Sequence, residues 1–175
     1  MQTGSKNLNL PNSVVSAGMV KDIKEVVAPG TEGTMAAVKI IGKPEVAVEV
    51  TYKATEIEFE GWTVEDNTYC PIIITISGKN GVIATLKGTD YTDINAFEDE
   101  IARFIGEYSQ IYEANTDLSL MYADTSEDDL VVSWEWPYST SDDNDKKDTE
   151  LGDQAAKINP ATIKIAIETT VTQID

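Results

Sequence analysis

Residues Val131 to Gln154, VVSWEWPYSTSDDNDKKDTELGDQ, decide the reading of this chain. Val132, Trp134 and Trp136 alternate with Val131, Ser133 and Glu135. An extended strand would therefore put one valine and two tryptophans on a single face. Pro137 ends the ladder, because proline has no N–H to donate. From Asp142 to Asp153 follow six carboxylates, interrupted by the pair Lys146 and Lys147. A strand with period-two burial followed by an acidic loop is the pattern of a β protein, and the neighbouring segments repeat it.

Working outward, Ile163, Ile165, Ile167 and Val171 alternate with Lys164, Ala166, Glu168 and Thr172, which predicts a long amphipathic strand. Upstream, Val46, Val48, Val50, Tyr52 and Ala54 alternate in the same way. Beyond Thr55 the apolar parity flips to Ile57 and Phe59, which calls for a bulge or a turn into a new strand. Pro29-Gly30 and Gly33 mark a turn before a β-branched run from Thr34 to Ile41. Gly61-Trp62 and Glu65-Asp66-Asn67 mark a loop. Cys70 to Ser77 and Val82 to Leu86 are apolar runs joined through Gly78-Lys79-Asn80-Gly81, whose Asn-Gly step is a strong hairpin signal.

One helix interrupts the strands. Ile94, Phe97, Ile101, Phe104, Ile105, Tyr108 and Ile111 recur at spacings of three and four, which predicts an amphipathic helix over about 93–114, capped by Thr92 or Asp93. Glu98, Asp99, Glu100 and Glu107 fall on its other face. Short strands, one inserted helix and no βαβ rhythm predict a mainly β fold, an antiparallel sandwich of jelly-roll or immunoglobulin-like type. The expected organisation is a flexible segment over 1–25 and a single sandwich domain over 26–175.

Composition narrows the function. At 175 residues the chain can bury roughly 70% of its unfolded surface, enough to fold without a staple. A formal net charge of −18 disfavours nucleic acid and anionic lipid as partners. Histidine is absent, which removes the commonest general base and the commonest zinc ligand. Cys70 is the sole cysteine, so no internal disulfide forms. No hydrophobic run approaches the ~20 residues of a membrane span, and the N-terminus has no signal-peptide core. Either the chain works in the cytosol or an export signal has been removed.

The order of Ala28-Pro29-Gly30, a helical insert over 88–115, Trp134-Glu135-Trp136-Pro137 and Asp148-Thr149-Glu150-Leu151-Gly152 resembles the TasA/camelysin family of exported surface and biofilm-matrix proteins of Gram-positive bacteria. W-x-W-P followed by D-T-x-L-G is the most specific part. The resemblance implies a jelly-roll-like sandwich, an extracellular or cell-surface location after signal-peptide removal, and partners that are further copies of the chain or other matrix proteins. It also implies filaments, in which an N-terminal strand of one subunit enters the sheet of the next. Leu8, Leu10, Val14 and Val15, within Leu8 to Val20, are the candidate donor residues. The metallopeptidase activity ascribed to part of that family does not carry over, since H-E-x-x-H cannot be written without histidine. The chain is therefore read as non-enzymatic and without a required cofactor.

Two alternatives concern the opening stretch. Asp142, Asp143, Asp145 and Asp148 are candidate calcium ligands by composition, because Ca²⁺ takes 6–8 oxygens. The EF-hand spacing fails: counted from Asp143, the third ligand position falls on Lys147 and the turn glycine is missing. In the other reading the acids stay in water while Asp148 to Gly152 form a capped turn over the tryptophans, anchored by Leu151. A carbohydrate-binding adhesin-like module would instead expose Trp62, Trp134 or Trp136 as a stacking platform. The glycosidase version would pair carboxylates among Glu56, Glu58, Glu60 and Glu135.

Overall fold

The computed structural model describes residues 28–118, 129–138, 141–157 and 160–174, with the side chains of 155–157 excepted. In chain order the elements are β1 (Thr31–Val38), β2 (Val48–Glu60), β3 (Thr63–Val64), β4 (Asn67–Thr68), β5 (Ile73–Gly78), β6 (Gly81–Lys87), α1 (Ile94–Glu107), β7 (Ser109–Tyr112), β8 (Leu130–Trp136), α2 (Asp142–Lys157) and β9 (Thr162–Gln173). The fold is mainly β, and every strand pair is antiparallel. One sheet has four strands in the order β1-β8-β5-β6, the other three in the order β7-β2-β9, and β3 with β4 forms a small ribbon.

The tryptophan strand lies inside the larger sheet, between β1 and β5. Its alternation is realised as read: Val132, Trp134 and Trp136 are all buried. They join Val38, Ile74 and Ile76 of the same sheet, Val50, Tyr52, Phe59 and Ile165 of the other, and Phe97, Ile101 and Ile105 of α1 in one continuous core. Trp134 lies against Gly33 of β1, where an added Cβ would come within 2.8 Å of the indole Nε1. Close approach of the ring is what that glycine permits.

The parity flip in β2 is a bulge, not a turn. Pairing with β9 runs from Val48 to Glu60 and slips between Ala54 and Glu56, so Thr55 is the extra residue. Val48, Val50 and Tyr52 face the core before it and Phe59 after it. One inserted residue thus keeps a 13-residue strand apolar-side-in across a change of parity. The β5–β6 hairpin forms at the Asn-Gly step, with Gly81 (φ 116°), not Asn80, taking the positive φ. The loop read at Glu65-Asp66 is a tight hairpin between β3 and β4, both residues lying in the left-handed region (φ 50° and 62°) as a two-residue turn of this hand requires.

The helix is shorter than its apolar stripe suggests. It runs from Ile94 to Glu107, with the Asp93 carboxylate accepting the Asn95 N–H at 3.0 Å. Tyr108 turns extended (ψ 133°), and Ser109 to Tyr112 pair with the first residues of β2. Ile111, read as helical core, is 51% exposed. Tertiary contacts outweigh the periodicity. The Tyr108 ring stacks on Tyr52 at 5.5 Å, and its hydroxyl accepts the Lys79 N–H at 3.0 Å. Gly78 leaves space for that ring, since a Cβ there would sit 2.5 Å from it.

Candidate functional site

The acidic stretch after Trp136 is a helix, α2, where the sequence reading expected a loop with a short turn. Ser141 caps it: its hydroxyl accepts the Asn144 N–H at 3.3 Å and its carbonyl accepts the Asp145 N–H at 3.0 Å. Asp142, Asp143 and Asp145 then lie in the first turn, where carboxylates interact favourably with the free N–H groups and the helix dipole. The helix is hard to read from sequence because it is polar nearly all round. Among its described side chains the buried ones are Asp148 and Leu151, 4% and 2% exposed and three residues apart.

Those two side chains close the helix over the tryptophan corner. Asp148 Oδ1 accepts the Tyr69 hydroxyl at 2.9 Å and the Trp136 Nε1–H at 3.3 Å. Trp136 meets Trp62 edge to face at 5.5 Å, and Trp62 Nε1–H donates to the Thr162 carbonyl at 2.9 Å. Lys147 lies over the Tyr69 ring at 5.2 Å. Leu151 is thus the anchor that the sequence suggested. Asp148 belongs to the interior, while its three companions face water.

The four candidate calcium ligands are therefore divided: Asp142, Asp143 and Asp145 are exposed and Asp148 is buried beneath α2. Among the described residues no group of three or more acidic or cysteine side chains converges to hold a metal. The tryptophans do not form a platform, since Trp62, Trp134 and Trp136 are 2%, 3% and 3% exposed. Glu56, Glu58 and Glu60 project from the outer face of the three-stranded sheet, and Lys164 pairs with Glu56 at 2.5 Å. Glu135 projects from the outer face of the other sheet, so the core separates it from them.

A buried acid that the strand periodicity does not single out is Asp129. It immediately precedes β8 and is fully buried. Its carboxylate accepts the Ile40 N–H at 2.6 Å while its own N–H donates to the Val38 carbonyl at 2.8 Å, which continues the β1–β8 ladder beyond the strands. The one available signal was its position at the head of an apolar run. Burial raises its pKa, against the hydrogen bond from Ile40 and the charges of Lys79 and Lys39. With the native pKa above the unfolded one, the native state keeps a proton that the unfolded chain releases. Stability from this group is thus present at low pH and lost as pH rises from about 4 through the native pKa. Urea titrations at stepped pH should show the stability of the wild type, relative to Asp129→Asn, falling over that window and levelling above it. A relative stability that climbs with pH would contradict the burial argument.

The remaining site is the set of sheet edges. Beyond Thr51 the free side of β2 has no partner strand among the described residues, because β7 stops there; α1 packs along it instead, and Glu98 Oε1 accepts the Phe59 N–H at 2.7 Å. β1 is interrupted by an irregularity between Thr34 and Ala36. β9 ends the three-stranded sheet with no such device in its 12 residues. Leu8, Leu10, Val14 and Val15, and the whole 1–25 segment read as flexible, lie outside the described residues. Comparison with protein-family models, with curated proteins and with solved structures found no match to this chain.

Proposed function

We propose that this chain is a non-enzymatic structural component of a bacterial cell surface or biofilm matrix, a TasA/camelysin-like protein that self-assembles by β-strand addition. In this reading the two sheets are a jelly-roll-like sandwich, and the W-x-W-P strand is its central member. The observation that carries the proposal is the pair of terminal strands, β1 and β9, each with one side of its ladder unpaired among the described residues. Such edges offer rows of N–H and C=O groups to an incoming strand, with alternate side chains setting the register. The donor is the segment containing Leu8, Leu10, Val14 and Val15, whose apolar side chains set the register against the acceptor strand. The strongly acidic surface suits a secreted protein that must stay soluble until it assembles.

Deletion of residues through Val15 is expected to abolish filaments in negative-stain micrographs of the purified protein while leaving the far-UV circular dichroism of the β domain in place. Filaments that persist in the deletion would overturn strand donation.

A further inference from the structure

We propose that β9 also pairs with β9 of a second copy, antiparallel about a twofold axis at Ala166, joining two three-stranded sheets into one of six strands. This goes beyond strand donation and needs nothing that precedes residue 28.

The backbone orientation along β9 is fixed by three contacts. The Ala166 carbonyl accepts from Thr55, the Thr162 carbonyl from Trp62, and the Ile174 N–H donates to Ala47, all on the side of β2 or its continuations. Successive residues of a strand direct their N–H and C=O groups to opposite sides. Ile163, Ile165, Ile167 and Thr169 therefore present theirs to the side of β9 that carries no hydrogen-bonded strand among the described residues. β9 contains no proline, glycine or bulge between Thr162 and Gln173; of the devices that blunt an edge it carries charged side chains, Lys164 and Glu168.

Side chains then select the register. With the axis at Ala166, Ile165 forms a hydrogen-bonded pair with the partner's Ile167 on the core-facing side. Lys164 faces the partner's Glu168 in a non-hydrogen-bonded pair, where side chains approach most closely. Because the axis repeats every contact, two such ion pairs form. An axis at Lys164 or at Glu168 would oppose like charges, and an axis at Ile165 or Ile167 would leave both charges opposite Ala166 or a threonine. Within one chain Lys164 already stands opposite Glu58, and Glu168 opposite Lys53. The joined sheet thus carries a row reading Glu58, Lys164, the partner's Glu168, the partner's Lys53, alternating in sign across four strands. Ala166 at the axis is small enough for the two backbones to approach.

The test is sedimentation velocity on the full chain over a concentration series, for the wild type, Lys164→Glu, Glu168→Lys and an equimolar mixture of the two variants. Both positions are exposed, so the substitutions leave the core untouched. The wild type should dimerise with rising concentration. Each single reversal should weaken self-association by about tenfold, since two attractive pairs become repulsive. The mixture should recover the wild-type constant. In a heterodimer the introduced carboxylate of one variant meets the introduced amine of the other, and the unchanged Glu168 of the first meets the unchanged Lys164 of the second. A wild-type chain that stays monomeric up to about 1 mM, reversals without effect, or a mixture that fails to recover would each overturn the proposal.

Discussion

Asp148→Ala is expected to lower stability by about 3 kcal/mol in a urea titration, whereas alanine at Asp142, Asp143 or Asp145 should each cost about 0.5 kcal/mol or less. The four acids are close neighbours in sequence, and composition gives no reason to separate them. Position on the helix does. The three outer acids lie in the first turn and interact with the helix N-terminus through water, a contribution of a few tenths of a kcal/mol. Asp148 is the acceptor for two donors in the interior, the Tyr69 hydroxyl and the Trp136 indole N–H. Its truncation would take that acceptor away from both, and a buried donor that loses its acceptor costs more than the bond contributed. Asp148→Asn keeps an acceptor oxygen in place and should lose less. A double-mutant cycle with Tyr69→Phe should give a coupling of about 1 kcal/mol; additive losses would show that the two side chains do not act together.

The same segment shows what the sequence made legible and what it did not. Strand periodicity is a local signal, and the faces of Trp134, Trp136 and Ile165 could be read because each follows from its neighbours' parity, while the parity flip after Thr55 called for a bulge or a turn and the pairing with β9 makes it a bulge. α2 escaped because a helix is recognised by its apolar stripe, and this one has only Asp148 and Leu151 as buried anchors among its described side chains. The true signal was Ser141 ahead of three early acids, a capping pattern that a cluster of carboxylates disguises as a metal site. The end of α1 failed for the opposite reason. The stripe continues through Tyr108 and Ile111, but the ring of Tyr108 has a better place against Tyr52 and Gly78, both far away in sequence, and no local pattern reports that. Asp129 likewise serves as the extension of a ladder whose other strand ends at Val38. Which acids are buried was therefore decided by long-range pairing, and in place of an exposed cluster the fold has two interior carboxylates, Asp129 and Asp148, and a set of strand edges.

Phe97→Ala should be among the most damaging single substitutions, with an expected loss of about 3–5 kcal/mol, the usual cost of emptying a buried aromatic site. Phe97 is fully buried, packed edge-on against Phe59 at 5.1 Å and tilted against Tyr91 at 5.2 Å. It is what fastens α1 to β2. A 14-residue helix is marginal on its own in water, and the solvent-exposed Arg103 pairs with Glu100 and Glu107 add little to it. Docking, not propensity, holds it. The consequence extends past stability, because α1 lies along the stretch of β2 that β7 leaves unpaired, with Glu98 accepting the Phe59 N–H. Loosening the helix uncovers a second long edge beside the one β9 already presents. Phe97→Ala is therefore expected to form irregular aggregates at concentrations where the wild type stays soluble, and Glu98→Gln, which retains the acceptor, is not. Hydrogen exchange should show the Phe59 amide losing protection together with those of α1. If the Phe59 amide stayed protected while the helix exchanged, β2 would be guarded by something other than the helix. Natural sheets leave an edge open where another chain is meant to enter and cover it elsewhere. Here the covered edge of the three-stranded sheet is the one beneath the helix, and its other edge, β9, unpaired among the described residues, carries the self-complementary pair Lys164 and Glu168.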